Sequence, residues 1–240
     1  MRLLRCEDLK LVSFTDRPPK YAVLSHRWLD PADEPTMQTF EDGTGQRLKG
    51  SEKIKLATQQ ALHDRLQFLW VDTICIDKSS STELSESINS MYRFYERATV
   101  CYAYLADVHQ KADVARSIWF TRGWTLQELL APPTVEFYTR DWEYLGTKAS
   151  SHLLPSLRRA TGIVSSSVFD RKFRTYEWTV AERMSWASTR TTERIEDRAY
   201  CLLGLFDVKM PLIYGEGENA FMRLQQQIMR TSDDHSIFAW

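Results

Sequence analysis

The sequence predicts an α/β fold in which a parallel sheet carries helices on both faces. Through about residue 140, short apolar segments alternate with longer amphipathic ones, the order expected of parallel strands joined by crossover helices. The most apolar of these segments, Phe68–Ile76, is rich in β-branched residues, as in a strand buried on both faces. No internal repeat or low-complexity tract interrupts this alternation.

Four strands are predicted, and turn or capping signals separate them. They cover Lys20–His26, Phe68–Ile76, Thr99–Leu105 and Thr134–Thr139. The stretch Leu29–Gly50 is rich in proline and glycine and is predicted to be a long loop after the first strand.

The intervening segments predict helices. Ser51 is expected to cap the first of them, and Ser80 with Glu83 forms a capping-box signature for the second. A third helix-like segment ends before Pro132 and Pro133, because proline cannot continue a helix.

From about residue 141 the chain becomes mostly helical in pattern. The predicted helices lie around Leu153–Thr161, Thr179–Ala187, Ile195–Leu205 and Glu218–Arg230. No Gly/Ser-rich or Pro-rich linker precedes them. We therefore expect one domain over residues 1–240, with an α/β core over about 1–140 and a helical elaboration over about 141–240 packed on the sheet.

Composition excludes several classes of protein. The chain is 43% hydrophobic and 26% charged, which rules out disordered and fibrous classes. Its 31 basic and 32 acidic side chains give a net charge of −1, so nothing favours binding to nucleic acid or to an anionic membrane. Neither a signal peptide nor a membrane span of about 18 apolar residues is visible, and we expect a cytoplasmic location.

The four cysteines show no metal-binding pattern. They have neither a CxxC pair nor a histidine at ligand spacing, so we expect reduced, mostly buried thiols and no metal site. They are Cys6, Cys75, Cys101 and Cys201.

Polar residues collect where the first three predicted strands end. The first ends in Ser25, His26, Arg27 and Trp28, the second holds Asp72 with Asp77 just beyond it, and Asp107 follows the third. Because ligands of open parallel sheets bind beyond the carboxyl ends of the strands, these residues predict a binding site. Taken alone, Asp72 could equally cap a loop or pair with an arginine.

The segment from Arg122 to Glu128 is a second concentration of polar chemistry. Trp124 and Glu128 are four residues apart and share one face of the predicted helix that Gly123 opens. A carboxylate beside an indole suits acid–base chemistry or a hydrogen bond to a hydroxyl. Arg122 could pair with a carboxylate of the sheet rim or with a phosphate of a ligand. An exposed glutamate on an amphipathic helix is the alternative, and spacing alone does not decide. Asp197 and Arg198 are most simply explained as an ion pair on a helix face.

Successive segments of the chain resemble the motifs of the fungal heterokaryon incompatibility (HET) domain. They are YAVLSHRW (21–28), WVDTICIDK (70–78), RGWTLQELLAP (122–132), EDRAYCLLGLF (196–206) and PLIYGEG (211–217). The final DDHSIFAW resembles the distal edge of HET domains fused to nucleotide-binding, repeat-bearing receptors. The resemblance implies an effector that triggers programmed death when genetically different fungal cells fuse. It also implies a receptor partner, in cis or in trans.

HET domains are in turn regarded as distant relatives of Toll/interleukin-1 receptor (TIR) domains, which have a flavodoxin-like sheet. The segment RGWTLQELL resembles a plant TIR stretch whose glutamate is catalytic in NAD-cleaving TIR domains, and Glu128 occupies that position. The resemblance therefore implies a TIR/flavodoxin-like fold and an NAD glycohydrolase that takes NAD as substrate and needs no cofactor.

The chemistry of that reaction suggests a role for each predicted site residue. A carboxylate at Glu128 would stabilise the oxocarbenium-like ribose by bonding its hydroxyls. Trp28 or Trp124 would stack on a ring, and Arg27 or Arg122 would meet the pyrophosphate. The remaining substrate-binding positions are Ser25, His26, Asp72 and Asp77.

Two other functions are weighed against this one. A non-catalytic signalling module that acts by self-assembly and partner recruitment would use the same motifs for packing. A stand-alone metabolic hydrolase is disfavoured, because no nucleophile elbow, phosphate loop or metal-ligand set is present. In either leading case we expect a homo-oligomer on activation, since a death effector must be silent until it is clustered.

Overall fold

A computed structural model describes residues 1–170 and 173–239 of the chain. Its strands are β1 (Arg2–Arg5), β2 (Lys10–Ser13), β3 (Ala22–His26), β4 (Phe68–Trp70), β5 (Val100–Tyr104), β6 (Val135–Tyr138) and β7 (Tyr144–Thr147). They form a seven-stranded sheet in the order β2-β1-β4-β3-β5-β6-β7.

The inner part of this sheet has the predicted topology. Strands β4, β3, β5 and β6 are parallel neighbours, and they correspond to the four predicted strands. Across the sheet, these four strands are the second, first, third and fourth along the chain, which is the strand order of flavodoxin-like sheets. The predicted α/β fold is therefore confirmed, with helices flanking a sheet whose centre is parallel.

The edges of the sheet differ from the prediction. The hairpin of β1 and β2 is antiparallel and pairs antiparallel with β4, while β7 adds an antiparallel edge beside β6. These strands are only four residues long, too short for alternation to distinguish them from loop. The sheet is therefore mixed, and it extends into the region predicted to be helical.

The second predicted strand is shorter than its apolar composition suggested. After β4 ends at Trp70, one turn of helix, α3 (Asp72–Cys75), takes over while its side chains stay largely buried. An apolar run cannot by itself distinguish a buried strand from a buried helical turn. As a result, Asp72 is the first residue of a helix beyond the strand and is not inside the strand.

The other helices lie between the strands and along the second half of the chain. They are α1 (Met37–Glu41), α2 (Ser51–His63), α4 (Ser81–Arg97), α5 (Thr125–Leu130), α6 (Leu154–Thr161), α7 (Ser167–Asp170), α8 (Val180–Ala187), α9 (Asp197–Tyr200) and α10 (Asn219–Thr231). Short 3-10 turns cover Gly45–Arg47, Lys111–Arg116, Ile118–Thr121, Thr175–Glu177, Gly204–Phe206 and His235–Phe238.

The helix starts confirm one half of the predicted capping box and correct the other predictions. Ser80 caps α4, and its Oγ accepts a hydrogen bond from the backbone N–H of Glu83 at 3.3 Å. The Glu83 carboxylate does not return the bond of a capping box; it accepts from the backbone N–H of Asp77 at 2.8 Å and pairs with Arg2. Gly50, however, is the N-cap of α2, so the prediction for Ser51 was wrong. Ser51 is the first residue of that helix, and its hydroxyl bonds the carbonyl of Gly45 instead.

The predicted helix Ile195–Leu205 is broken into α9 and a 3-10 turn. At this turn the chain passes close to α4, where a Cβ on Gly204 would lie 2.0 Å from the Cβ of Tyr92. Only glycine permits that approach.

One hydrophobic core joins the sheet to the C-terminal helices. The same cluster of buried side chains extends from Leu3 in β1 to Ile228 in α10. Each fully buried Leu or Phe in it contributes about 1.5–3 kcal/mol to folding. All four cysteines are buried and unpaired. Within the described residues, no helix has both the length and the apolar character that crossing a bilayer requires.

Candidate active site

A cavity of about 450 Å³ opens beyond the carboxyl ends of β3 and β4. Its volume is within the usual range for small-molecule sites. Four parts of the chain line it. The end of β3 contributes His26, Arg27 and Trp28, and the region of α3 and α4 contributes Asp72, Ile76, Lys78, Leu84, Ile88, Met91 and Tyr95. The segment that leads into α5, together with the first turn of α5, contributes Ile118, Thr121, Arg122, Gly123, Trp124, Thr125 and Glu128, and the C-terminal half contributes Thr191, Thr192, Glu193, Arg194, Asp197 and Tyr214.

Most of the predicted site residues line this cavity. They are His26, Arg27, Trp28, Asp72, Arg122, Trp124 and Glu128. Ser25 is fully buried behind the wall, where it contacts Glu128. It therefore reaches the cavity only through its contact with Glu128.

Two aspartates predicted at this rim lie elsewhere. The carboxylate of Asp77 accepts hydrogen bonds from Gln38 Nε2 at 2.7 Å and from Ser79 Oγ at 2.6 Å. Asp77 lies well past the end of β4, so its side chain joins α1 to the turn before α4. Asp107 accepts from Ser117 Oγ at 2.7 Å and does not line the cavity. Direct ligand contact by Asp77 is therefore not supported.

Glu128 is held in place by a chain of hydrogen bonds. Its helix, α5, begins at Thr125 and ends before the two prolines. Ser25 Oγ donates to Glu128 Oε2, and Trp119 Nε1 donates to Ser25 Oγ at 2.9 Å. A further hydrogen bond joins Glu128 to Tyr95 of α4. Because Ser25 and Trp119 are fully buried, the carboxylate has a fixed direction toward the cavity.

The environment of Glu128 favours its protonated form more than water does. Burial raises the pKa of Glu128 to about 7, and the negative charge of Asp72 acts in the same direction. The hydrogen bonds from Ser25 and Tyr95 and the charge of Arg122 oppose this rise. Both protonation states are therefore populated near neutral pH, which is characteristic of residues that act in catalysis.

Asp72 fixes the side chains of a second wall of the cavity, formed by α3 and the end of β3. Its Oδ1 lies 3.0 Å from His26 Nε2, and its Oδ2 accepts a hydrogen bond from Trp28 Nε1 at 2.7 Å. Burial alone would raise the pKa of Asp72, but the charge of Lys78 and the bonds from His26 and Trp28 hold it well below its usual range. Asp72 is therefore a permanent negative charge that fixes an imidazole and an indole beside the cavity.

A buried ion pair supports this wall from behind. Lys53 Nζ donates to Glu34 Oε2 at 2.7 Å and to the carbonyl of Arg27 at 3.0 Å. Glu34 also accepts from the backbone N–H of Leu29 at 2.8 Å, and its second oxygen lies 4.0 Å from His26 Nδ1. The stretch Leu29–Gly50, predicted to be a loop, in fact contains α1 and a 3-10 turn, and this pair anchors its start. No sequence motif indicated the pair.

The C-terminal half supplies the third wall, because Gly123 allows close approach. The N–H of Gly123 donates to the carbonyl of Thr191 at 2.8 Å, and the N–H of Thr191 donates to the backbone carbonyl of Thr121 at 2.7 Å. A Cβ at Gly123 would lie 2.6 Å from Thr192 Cγ2. Any larger residue would therefore push the Thr191–Arg194 segment away from the cavity.

Asp197, at the start of α9, is a further carboxylate of the cavity. Tyr214 Oη donates to Asp197 Oδ1 at 3.0 Å, and Trp124 also hydrogen-bonds to it. Burial raises the pKa of Asp197. These contacts replace the ion pair expected between Asp197 and Arg198. In the sequence, only the place of Asp197 within a HET-like segment pointed to them.

Two buried cations hold α5 at its ends. Arg190 Nη1 donates to the carbonyl of Arg122 at 2.9 Å and to Thr125 Oγ1 at 3.0 Å. Lys148 Nζ donates to the carbonyl of Pro132 at 2.6 Å, and it also reaches the carbonyl of Leu129 at 3.2 Å. The bond from Lys148 to Leu129 satisfies a carbonyl that the C-terminal end of this short helix leaves free, while Arg190 fixes the segment that leads into the helix. In the residues that the structure describes, no group of three or more His, Cys, Asp or Glu could hold a metal ion.

Comparison with known proteins agrees with the motif order. Residues 21–116 match the family model described as "Heterokaryon incompatibility protein (HET)", and residues 219–240 match "Domain of unknown function (DUF8212)". The chain is 43% identical over 245 residues to "Vegetative incompatibility protein HET-E-1" of Podospora anserina. The alignment covers 95% of this chain and 18% of that protein. No solved structure matches significantly. With the family-model match over residues 21–116 and this identity over almost its whole length, the chain contains a heterokaryon incompatibility (HET) domain.

Proposed function

We propose that this HET domain is a cell-death effector of fungal heterokaryon incompatibility that hydrolyses the nicotinamide–ribose bond of NAD, with Glu128 as the catalytic carboxylate. One observation carries the proposal: Glu128 lines a cavity of about 450 Å³, and its pKa is about 7. The name of the Podospora relative supports the incompatibility role. The likeness of the Arg122–Leu130 segment to a TIR stretch that is catalytic in NAD-cleaving relatives supports the reaction.

The reaction needs little beyond a well-placed carboxylate. As the bond from ribose C1′ to the pyridinium nitrogen breaks, nicotinamide leaves with the bonding electrons and positive charge develops on the ribose. An ionised Glu128 that accepts hydrogen bonds from the ribose hydroxyls stabilises that charge in a partly desolvated site. Water then attacks C1′ and releases a proton. The products are nicotinamide, ADP-ribose and H⁺, and the leaving group requires no general acid.

Aromatic and basic residues of the walls complete the site. Trp28 is held by Asp72, and Trp124 hydrogen-bonds to Asp197, so each indole has a fixed orientation beside the cavity. Either ring can stack on an aromatic base. Arg122 lies 3.6 Å from the exposed carboxylate of Glu193, a loose pairing that leaves the guanidinium available to a pyrophosphate.

Release of nicotinamide from NAD by the purified chain tests the reaction. We expect release by the wild type and a fall of about 10²–10³-fold in Glu128→Gln, because the neutral amide cannot balance the developing positive charge. Glu136→Gln is the matched control. Glu136 is also a part-buried carboxylate with a raised pKa, bonded by Tyr138 Oη at 2.8 Å, but it lies outside the cavity.

The same assay separates the alternatives. Equal release by the wild type and Glu128→Gln would keep the reaction and remove Glu128 from it. No release by the wild type, either as free chains or clustered through a fused inducible oligomer, would favour a non-catalytic module that acts by self-assembly. Expression in fungal cells gives the biological readout, with death expected from the wild type and survival from Glu128→Gln.

A further inference from the structure

Lys78 is a cation of the cavity wall that the proposed mechanism does not use. It lies between α3 and α4, is half-buried, and lines the cavity together with Trp28. Its Nζ is 3.5 Å from the centroid of the Trp28 ring. This cation–π contact holds the ammonium over the indole, but it supplies no oxygen acceptor for its three N–H donors.

The ammonium of Lys78 is short of polar partners. Among residues 1–170 and 173–239, none forms an ion pair or a hydrogen bond with its Nζ. Asp72 is nearby, but its two oxygens are engaged by His26 and Trp28. Burial lowers the pKa of Lys78, against the charges of Asp72 and Glu34. A partly desolvated ammonium with unused donors binds an incoming anion more strongly than a fully hydrated one does.

We propose that Lys78 is a phosphate-binding residue of this cavity and that its contact with Trp28 is a resting position that ligand binding releases. An aromatic ring that stacks on this face of Trp28 displaces the ammonium. Its flexible four-carbon stem then carries the charge to a phosphate of the same ligand. Arg27 and Arg122 line the same cavity, so a diphosphate meets several cations there. The inference rests on the proposed function only in taking a dinucleotide as the ligand.

Calorimetric binding measurements test the inference without any turnover. The ligands are ADP-ribose, inorganic pyrophosphate and adenosine, which separate the phosphate contribution from the ring contribution. The proteins are the wild type, Lys78→Met, Lys78→Arg and Lys55→Met. Methionine retains an apolar stem over Trp28 and removes the charge, while Lys55 is an exposed lysine of α2 and serves as the matched control.

We expect Lys78→Met to weaken ADP-ribose binding about tenfold, the loss of roughly one charge-assisted hydrogen bond. Pyrophosphate should bind more weakly than ADP-ribose and lose less affinity in Lys78→Met, because it brings no ring to displace the ammonium from Trp28. Adenosine affinity should not fall, Lys78→Arg should retain most of the ADP-ribose affinity, and Lys55→Met should match the wild type. If free pyrophosphate binds as tightly as ADP-ribose, the site recognises the anion alone and Trp28 stacking is not part of it, which overturns the displacement step.

Three other results would overturn the proposal. They are unchanged ADP-ribose affinity in Lys78→Met, an equal loss for adenosine and ADP-ribose, and no binding of either phosphate ligand to the wild type. Because nicotinamide release is measured separately, an inactive chain that still loses ADP-ribose affinity in Lys78→Met would reject the NAD reaction and retain the phosphate site.

Discussion

At the scale of single residues, the ionisation of Glu128 sets the pH dependence of the proposed reaction. The carboxylate must be ionised to stabilise the ribose cation, and its pKa is about 7. We expect kcat/KM for NAD to rise with pH through about 7 and then to level off. Initial-rate measurements between pH 5 and 9 at constant ionic strength check this profile.

Ser25→Ala provides the companion measurement for this profile. The hydrogen bond from Ser25 lowers the pKa of Glu128, so its removal should move the rise to higher pH. A pH-independent loss of rate in Ser25→Ala would contradict the link between Ser25 and the ionisation of Glu128.

The same carboxylate also costs folding stability at neutral and alkaline pH. Because burial raises its pKa above the ordinary 4.5, the folded state keeps a proton that the unfolded state has lost between about pH 4.5 and 7. Stability from this group therefore falls as pH rises through that window. We expect Glu128→Gln to be more stable than the wild type by about 1–3 kcal/mol at pH 8, with the difference vanishing near pH 4.

Urea unfolding of both proteins at pH 4, 6 and 8 measures this difference. A constant difference across that range would mean that the glutamine changes packing and that ionisation is not the cause. The loss of NAD cleavage in Glu128→Gln would then reflect altered packing as well as the missing charge. Only the pH profile of the wild type would separate the two causes.

At the scale of elements, the turn of helix α3 connects two walls of the cavity. Asp72 begins this turn and engages His26 and Trp28 at the end of β3, and an asparagine offers only one carbonyl oxygen to the two partners. We expect Asp72→Asn to raise the KM for NAD about tenfold. It should also shift the acid limb of the pH profile to lower pH, because the charge of Asp72 raises the pKa of Glu128. NAD saturation curves at several pH values measure both effects.

Asp77→Asn is the control for this prediction, since Asp77 belongs to the same motif (70–78) and lies outside the cavity. It should leave both KM and the pH profile unchanged. If the two variants behave alike, the contacts of Asp72 with His26 and Trp28 do not affect NAD binding. The role assigned to α3 in forming the site would then be rejected.

The same elements show what the sequence can and cannot predict. The inner strands and the position of Glu128 on α5 follow from local patterns, because apolar runs and prolines act within a few residues. The contact of Ser25 with Trp119 depends on how β3 and the turn before α5 pack, which no spacing encodes. Likewise, Asp197 reaches the cavity only because Gly123 admits the Thr191–Arg194 segment.

At the scale of the whole molecule, the α/β part and the C-terminal helices are linked by specific contacts. Asn89 of α4 donates to the carbonyl of Met210 and accepts from its N–H, both at 3.2 Å. The hydrophobic core is continuous between the two parts, and one wall of the cavity comes from the C-terminal half. Each part therefore buries apolar surface against the other.

This interdependence predicts one cooperative unfolding transition. Leu69 in β4 and Leu224 in α10 are both fully buried, so Leu→Ala at either position should cost about 2–5 kcal/mol. Each variant should lower the midpoint of a single calorimetric transition by about 5–15 °C, with equal calorimetric and van't Hoff enthalpies. Two separable transitions, each moved by only one of the variants, would show that the C-terminal helices fold independently. The cavity would then lie between two units that fold separately. Its C-terminal wall, Thr191–Arg194, would be able to move away from the α/β part without unfolding of either unit.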